Sequence, residues 1–286
     1  MDLLEVSGIG KKYNGFLLDD ISFTVPAGYI LGYVGRNGAG KTTTLEMITH
    51  QRKADTGSIK INGMEYRENP EKYKEMIGYI RDICYFPDDF NLLDIKKILK
   101  GFYTTFDENK FMNYVQKWQL PEKKKVKDYS KGMQVRLMFA GVLARDTKLL
   151  ILDEATNGLD PVVKQEVLEL IQEYIQEGNR SVIFSTHILN DLEQIADYIF
   201  FLHDGKKVMY DIKEEIIERY VLVKGGLEDL NEYMEKDIIG LKKTSVGFEG
   251  ILESDKGIHI SKNCVVEKPS IDQIVVSYIK HKEAQR

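Results

Sequence analysis

The apolar positions of this chain follow two rhythms. Continuous apolar runs at residues 29–34, 149–152, 181–184 and 198–202 have the length and composition of buried strands, and most are separated by stretches whose apolar residues return every three or four positions. That alternation predicts a largely parallel α/β sheet with helices between its strands. Residues 21–25 and 59–61, the latter followed by the turn pair Asn62-Gly63, read instead as short antiparallel strands laid against that sheet. Between about residues 92 and 144 no strand pattern stands out, and helical periodicity with scattered lysines predicts an inserted helical subdomain.

From about residue 211 the pattern changes. Residues 220–223, 247–252 and 258–260 are short strand candidates separated by glycines and charges. Ser270 and Gln273 then form a capping-box pair that opens a helix with Ile271, Ile274, Val275 and Tyr278 on one face. A small α+β appendage is the plain reading of this segment; a dimer or partner surface is the functional one.

Chemistry enters directly after the run at 29–34. Gly35-Arg36-Asn37-Gly38-Ala39-Gly40-Lys41-Thr42 fits the phosphate-binding pattern GxxxxGK[ST], and Leu45 and Ile48 follow at helical spacing, so strand, loop and helix arrive in the required order. Glycines let successive N–H groups turn onto phosphate oxygens, Lys41 reaches the β and γ phosphates, and the Thr42 hydroxyl ligates Mg²⁺. The run at 149–152 ends in the adjacent carboxylates Asp153 and Glu154. By itself Asp153 could merely cap a turn. Beside a phosphate loop it is expected to hold the Mg²⁺ shell, while Glu154 orients or deprotonates the attacking water. His187 stands at the end of the next strand, the edge of a parallel sheet where ligands bind, and could hydrogen-bond a γ-phosphate oxygen. Ser130 is a good N-cap for the helical pattern that carries Leu137, Ala140 and Ala144; the same helix end, with the Gly132 N–H, could also hold a phosphate brought from elsewhere.

Composition narrows the class. With 286 residues, 43% hydrophobic and 30% charged, the chain reads as an ordinary soluble globular protein with room for one large domain and an appendage. A net charge of −5 argues against general nucleic-acid binding, and the basic run Lys123-Lys124-Lys125-Val126-Lys127 reads as a solvated loop. Cys84 and Cys264 lie far apart without a metal-ligand spacing, which supports neither a disulfide framework nor a zinc site and leaves a reducing cytosol as the default. Met1 opens no signal-peptide pattern, and no apolar run approaches the roughly 18 residues needed to cross a bilayer, so any membrane role is expected to come through a partner.

Taken in order, these motifs resemble the ATP-binding cassette (ABC) family over roughly residues 1–210. The resemblance implies a P-loop NTPase fold with a RecA-like core, an antiparallel β subdomain and a helical subdomain at about 85–145, followed by an α+β accessory region at 211–286. It makes residues 35–43, ending at Thr43, the Walker A loop, residues 151–154 the end of the Walker B strand, residues 129–134 the signature sequence, Asn157-Gly158-Leu159-Asp160 the D-loop, His187 the switch histidine and Tyr13 the aromatic that stacks on adenine. The form KGMQ in the signature, NGLDP after Walker B and the C-terminal KPSIDQI look like bacterial exporters of the bacitracin-resistance and phenol-soluble-modulin type. By that resemblance the chain is an ATPase that dimerises head to tail around ATP and Mg²⁺. It would drive a separate transmembrane permease from the cytoplasmic face of the membrane, in the direction of export. A soluble ABC ATPase acting on a macromolecular assembly is the alternative; a GTPase-type switch would need an NKxD motif, which is missing. Two departures stand out. Lys131 and Met133 replace a Gly and the Gln usual in the signature, and Asp82 occupies the strand end where most members carry a metal-touching Gln. Asp82 is accordingly a candidate metal ligand that adds negative charge beside the phosphates.

Overall fold

The computed structural model describes residues 1–284, with the side chains of 257–259 outside that description. The chain opens with β1 (Asp2–Tyr13) and β2 (Phe16–Pro26), a long hairpin closed by Asn14-Gly15, and continues into β3 (Ile30–Val34) and α1 (Lys41–Ile48). Next come β4 (Thr56–Ile61), β5 (Met64–Glu65), α2 (Pro70–Glu75) and β6 (Ile77–Arg81). Strands β1, β2, β4 and β5 form an antiparallel sheet in the order β2-β1-β4-β5. The Asn62-Gly63 turn between β4 and β5 has positive φ at both residues, 50° and 76°, the mirror-image turn that matches strand twist.

Helices fill residues 92–143 of the described chain: α3 (Leu92–Phe102), α4 (Glu108–Lys117) and α5 (Lys131–Leu143). They are well punctuated. Asn91 and Asp94 form a capping box on α3, Asp107 caps α4 and Ser130 caps α5. Then follow β7 (Leu149–Asp153), α6 (Pro161–Ile175), β8 (Ser181–Thr186), α7 (Leu189–Ile195), β9 (Tyr198–His203) and β10 (Lys206–Ile212). The central sheet runs β10-β9-β3-β8-β7-β6, parallel except for the antiparallel edge strand β10. Strands β3, β7 and β8 are buried along their whole length, which is why they read as unbroken apolar runs.

Alternate residues of these strands feed different cores. Leu31, Tyr33, Leu149, Ile151, Ile183 and Phe200 face the antiparallel sheet, whereas Ile30, Val34, Leu150, Leu152, Val182 and Phe184 face the helices. Tyr33 stacks on Phe200 with ring centroids 4.8 Å apart, and Phe23 of the antiparallel sheet meets Phe200 at 4.9 Å; such pairs add about 0.5–1.5 kcal/mol each beyond their burial. On the helical face, Gly78 lets α5 lie close to β6, since a Cβ there would stand 2.2 Å from Val142 Cγ1. Gly78→Ala is therefore expected to cost about 1–3 kcal/mol by overpacking, read as a lower urea midpoint at unchanged slope.

The remaining residues form α8 (Lys213–Glu218), β11 (Tyr220–Gly225), α9 (Glu232–Asp237), β12 (Ile239–Thr244), β13 (Gly247–Glu253), β14 (Val265–Glu267) and α10 (Ile271–Ala284). Their antiparallel sheet runs β12-β13-β11-β14. The strand expected at 258–260 is corrected: Ser254–His259 form a 3₁₀ turn, opened by the turn-forming Ser254-Asp255, and the strand that pairs with β11 comes later as β14. The Ser270/Gln273 capping box is present in both directions, at 3.1 and 2.9 Å. Ile271, Ile274 and Val275 of α10 join Ile216, Leu222 and Ile251 in the same core as the helical face of the central sheet.

Candidate nucleotide site

The C-terminal ends of β3, β7 and β8 lie side by side, with Val34 opposite Thr186 and Asp153 opposite Ser185. The phosphate loop, Glu154 and His187 all leave the sheet at this edge. Above it opens a cleft of about 480 Å³ lined by Tyr13, Phe16, Arg36, Asn37, Gly38, Gly40, Lys41, Thr42, Thr43, Arg52 and Glu154. Three cations against one carboxylate suit an anionic ligand.

The loop is built for close approach. Gly38 and Gly40 have φ of 83° and 109°, and a Cβ at Gly35 would stand 2.5 Å from the Leu202 carbonyl. Gly40 caps α1 without a side-chain acceptor, so the first N–H groups of the helix remain available to phosphate oxygens. Ala39 is buried beneath the loop. Lys41 is 5% exposed; its Nζ donates to the Gly35 carbonyl at 2.7 Å and the Arg36 carbonyl at 3.3 Å, and lies 3.4 Å from Glu154 Oε1.

Two adjacent carboxylates with different surroundings stand at this edge, and Glu154 meets the Lys41 cation. Asp153 is buried, and Oδ2 accepts from Thr42 Oγ1 at 2.9 Å and Tyr79 OH at 3.3 Å. Its Oδ1 is equally buried and accepts no hydrogen bond, although the Ser185 hydroxyl, itself buried and unpartnered, also favours the ionised carboxylate. Burial raises the Asp153 pKa despite the Thr42 hydrogen bond. Glu154 is shifted the other way: burial pushes it up, but the Lys41 ammonium, the Asn157 amide at 2.5 Å and His187 together bring it below the usual carboxylate value. His187 Nδ1 lies 3.2 Å from Glu154 Oε2; because an ionised carboxylate only accepts, Nδ1 carries the proton in this contact. Glu154 is also one of the few non-glycine residues in the left-handed region, with φ of 55°, anchored by its N–H on the Ser185 carbonyl at 2.9 Å.

An unpartnered buried carboxylate oxygen beside a threonine hydroxyl, at the mouth of a phosphate loop, fits Mg²⁺. That ion takes one or two carboxylates and completes its shell with water and substrate phosphates.

Tyr13 lines the cleft with Arg52 5.6 Å over its ring and Phe16 at 6.2 Å. Phe16 is an aromatic wall that no phosphate-site motif marks. The signal was the Asn14-Gly15 turn, which sets Tyr13 opposite Phe16 in the hairpin. Arg36, inside the phosphate loop, and Arg52 also line the cleft; they pair with Glu283 of α10 and Glu46 respectively.

Four expected site residues lie elsewhere. Ser130 is exposed and spends its hydroxyl capping α5, at 3.3 Å from the Met133 N–H. Gly132 packs on α6, where a Cβ would meet Val163 Cγ2 at 3.2 Å. Asp160 is the N-cap of α6, accepting from Val162 and Val163 at 3.1 Å each. Asp82 is exposed at the end of β6; its backbone N–H donates to the Asp153 carbonyl at 3.1 Å, and its side chain does not line the cleft. Lys131 reaches the loop after β7, its Nζ 3.4 Å from where a Cβ on Gly158 would sit.

Comparison with known proteins accords with this geometry. Residues 18–157 match the ABC transporter family model. The ABC transporter ATP-binding protein YtrB of Bacillus subtilis is 31% identical over 80% of this chain and 79% of its own length. The bacitracin transport ATP-binding protein BcrA of Bacillus licheniformis is 37% identical over 72% of this chain and 66% of its own. Among solved structures, the ATP-binding subunit of an ABC transporter superposes with a TM-score of 0.69 at 27% identity, covering 75% of this chain and 91% of that one. A post-hydrolysis cassette dimer bound to ADP and Pi shares the fold at a TM-score of 0.65 and 19% identity, covering 73% of this chain and 98% of that one. The chain therefore belongs to the ATP-binding subunits of ABC transporters, the ATPases that couple ATP hydrolysis to transport.

Proposed function

We propose that this chain powers export of a peptide, antibiotic or other amphipathic cargo through a separate transmembrane subunit, lying peripherally at the cytoplasmic face of the membrane. The observation that carries the reading is the meeting of Lys41 and His187 on Glu154, next in sequence to the half-satisfied Asp153, at the edge of the cleft. Support for the cargo class comes from relatives named for bacitracin transport and for lantibiotic transport. No helix among the described residues is long and apolar enough to cross a membrane, in keeping with a separate permease.

In this reading residues 1–210 form the ATPase domain, with a helical subdomain at about 85–145, and 211–286 an accessory region. Tyr13 stacks on the adenine. The N–H groups of the loop residues Gly35 to Thr43 and the Lys41 ammonium hold the phosphates. Thr42 and Asp153 would hold Mg²⁺, which when bound would neutralise charge on the nucleotide phosphates. Asp82, set apart from the cleft, would reach that shell only through water. Glu154, kept ionised by Lys41, takes the proton of the attacking water, and His187 orients Glu154 and the γ-phosphate. Ser130 and Gly132 at the start of α5, with Asp160, face the nucleotide of a second copy, so that ATP joins two protomers head to tail and hydrolysis releases them. The segment 82–94, which exposes Ile83 (72%), Tyr85 and Leu93, is the docking surface for the permease.

Purification of the chain from detergent-solubilised membranes of its native host tests the reading. An integral membrane subunit is expected to co-purify in stoichiometric amount. Recovery with a soluble assembly alone would overturn the transport role and favour a non-transport ATPase.

A further inference from the structure

The geometry points to Tyr79 as a positioning residue that sets the Asp153 carboxylate for the metal. The inference rests on the reading above that Asp153 holds Mg²⁺. Tyr79 and Asp153 lie on one face of neighbouring parallel strands, where Tyr79 pairs with Ile151 and Arg81 with Asp153. The Tyr79 hydroxyl donates to Asp153 Oδ2, the oxygen that also receives Thr42, while Oδ1 is left without a donor. Two donors on one oxygen fix the rotation of the carboxylate and leave the other oxygen free of a protein donor.

The two donors differ in what they move with. Thr42 belongs to α1, at the phosphate loop that would receive the nucleotide. Tyr79 belongs to β6, hydrogen-bonded directly to the strand that carries Asp153, so its hold on the carboxylate does not depend on the loop. Its half-buried ring is itself located from both sides. One edge packs on the core beneath the antiparallel sheet and the other lines a cavity of about 260 Å³ with Thr49, Tyr85, Tyr103 and Arg145, while the Arg81 guanidinium stands 5.9 Å from its centroid. Asp82, three residues on, has no such contact with the carboxylate. Tyr79 is thus the side chain of β6 through which the cavity behind the sheet edge touches the metal carboxylate. Outer-shell donors of this kind commonly change metal affinity by about 10–100-fold.

The test is calorimetric and separates metal from nucleotide. Tyr79→Phe keeps the ring and removes only the hydroxyl. In the full chain, ATP affinity in EDTA is expected to stay within about twofold of the parent, while the free Mg²⁺ that half-saturates the protein–ATP complex rises roughly tenfold. A merely structural role would weaken both titrations and lower the thermal midpoint. The inference is overturned if the Mg²⁺ dependence of Tyr79→Phe matches the parent while Asp153→Asn shifts it. If Asp153→Asn leaves it unshifted too, the assignment of Asp153 fails and takes Tyr79 with it.

Discussion

Glu154→Gln is expected to lower steady-state ATP hydrolysis by about 10²–10⁴-fold, the range for removing a positioned general base, while the protein still binds ATP. The amide occupies the same volume and keeps an oxygen to accept from Asn157, but it cannot take a proton from water. It also removes a negative charge 3.4 Å from the Lys41 ammonium and close to the expected γ-phosphate, so ATP binding should be unchanged or tighter. In the proposed head-to-tail dimer, nucleotide that is held and not split would keep two copies joined. Phosphate release assays should therefore show a near-silent enzyme, and size-exclusion chromatography with Mg·ATP should show a dimer that the parent populates only transiently. Hydrolysis at close to the parental rate would remove Glu154 from its role.

Lys41→Ala acts earlier, on binding. The Lys41 ammonium is the one cation in the cleft that is nearly fully buried, and it is held by loop carbonyls and Glu154. Truncation would delete the proposed phosphate contact and leave the Glu154 carboxylate without its counter-charge. Losing one partner of a buried charged pair costs about 2–5 kcal/mol, so ATP affinity should fall at least about thirtyfold by calorimetry. Undiminished affinity would show that the triphosphate lies elsewhere. Thr42→Ala would weaken binding mainly with Mg²⁺ present, which distinguishes the hydroxyl from the ammonium.

Much of this was legible in the linear chain, and the physics says which part. Strands β3, β7 and β8 are covered on both faces, so their side chains are apolar without interruption and the runs announce themselves. Residues Gly35 to Thr42 and the Asp153-Glu154 pair are local motifs, readable because backbone and chemistry coincide within a few positions. Edge strands were harder. β10 carries Lys206 and Lys207 and is only partly buried, so no period dominates, although Asp204-Gly205, with φ of 48° and 74°, is the hairpin turn that marks it. Phe16, Arg36 and Arg52 line the cleft from three separate segments, and Tyr79 reaches Asp153 across two strands. Such meetings are made by tertiary packing, and no local spacing encodes them. The signature helix is legible as a helix, yet its expected role depends on a second copy, and within one chain Ser130 and Asp160 do no more than cap.

The left-handed backbone at Glu154 limits which replacements can be interpreted at all. A β-branched side chain such as Val or Thr would be forced into a conformation it tolerates poorly. The loop would then shift and carry the D-loop with it, so that a dead enzyme would report a displaced turn instead of an absent proton acceptor. Gln or Ala accept that geometry at lower cost and Gly at none, and a kinetic comparison of these three separates the chemistry of the residue from the shape of the peptide that presents it.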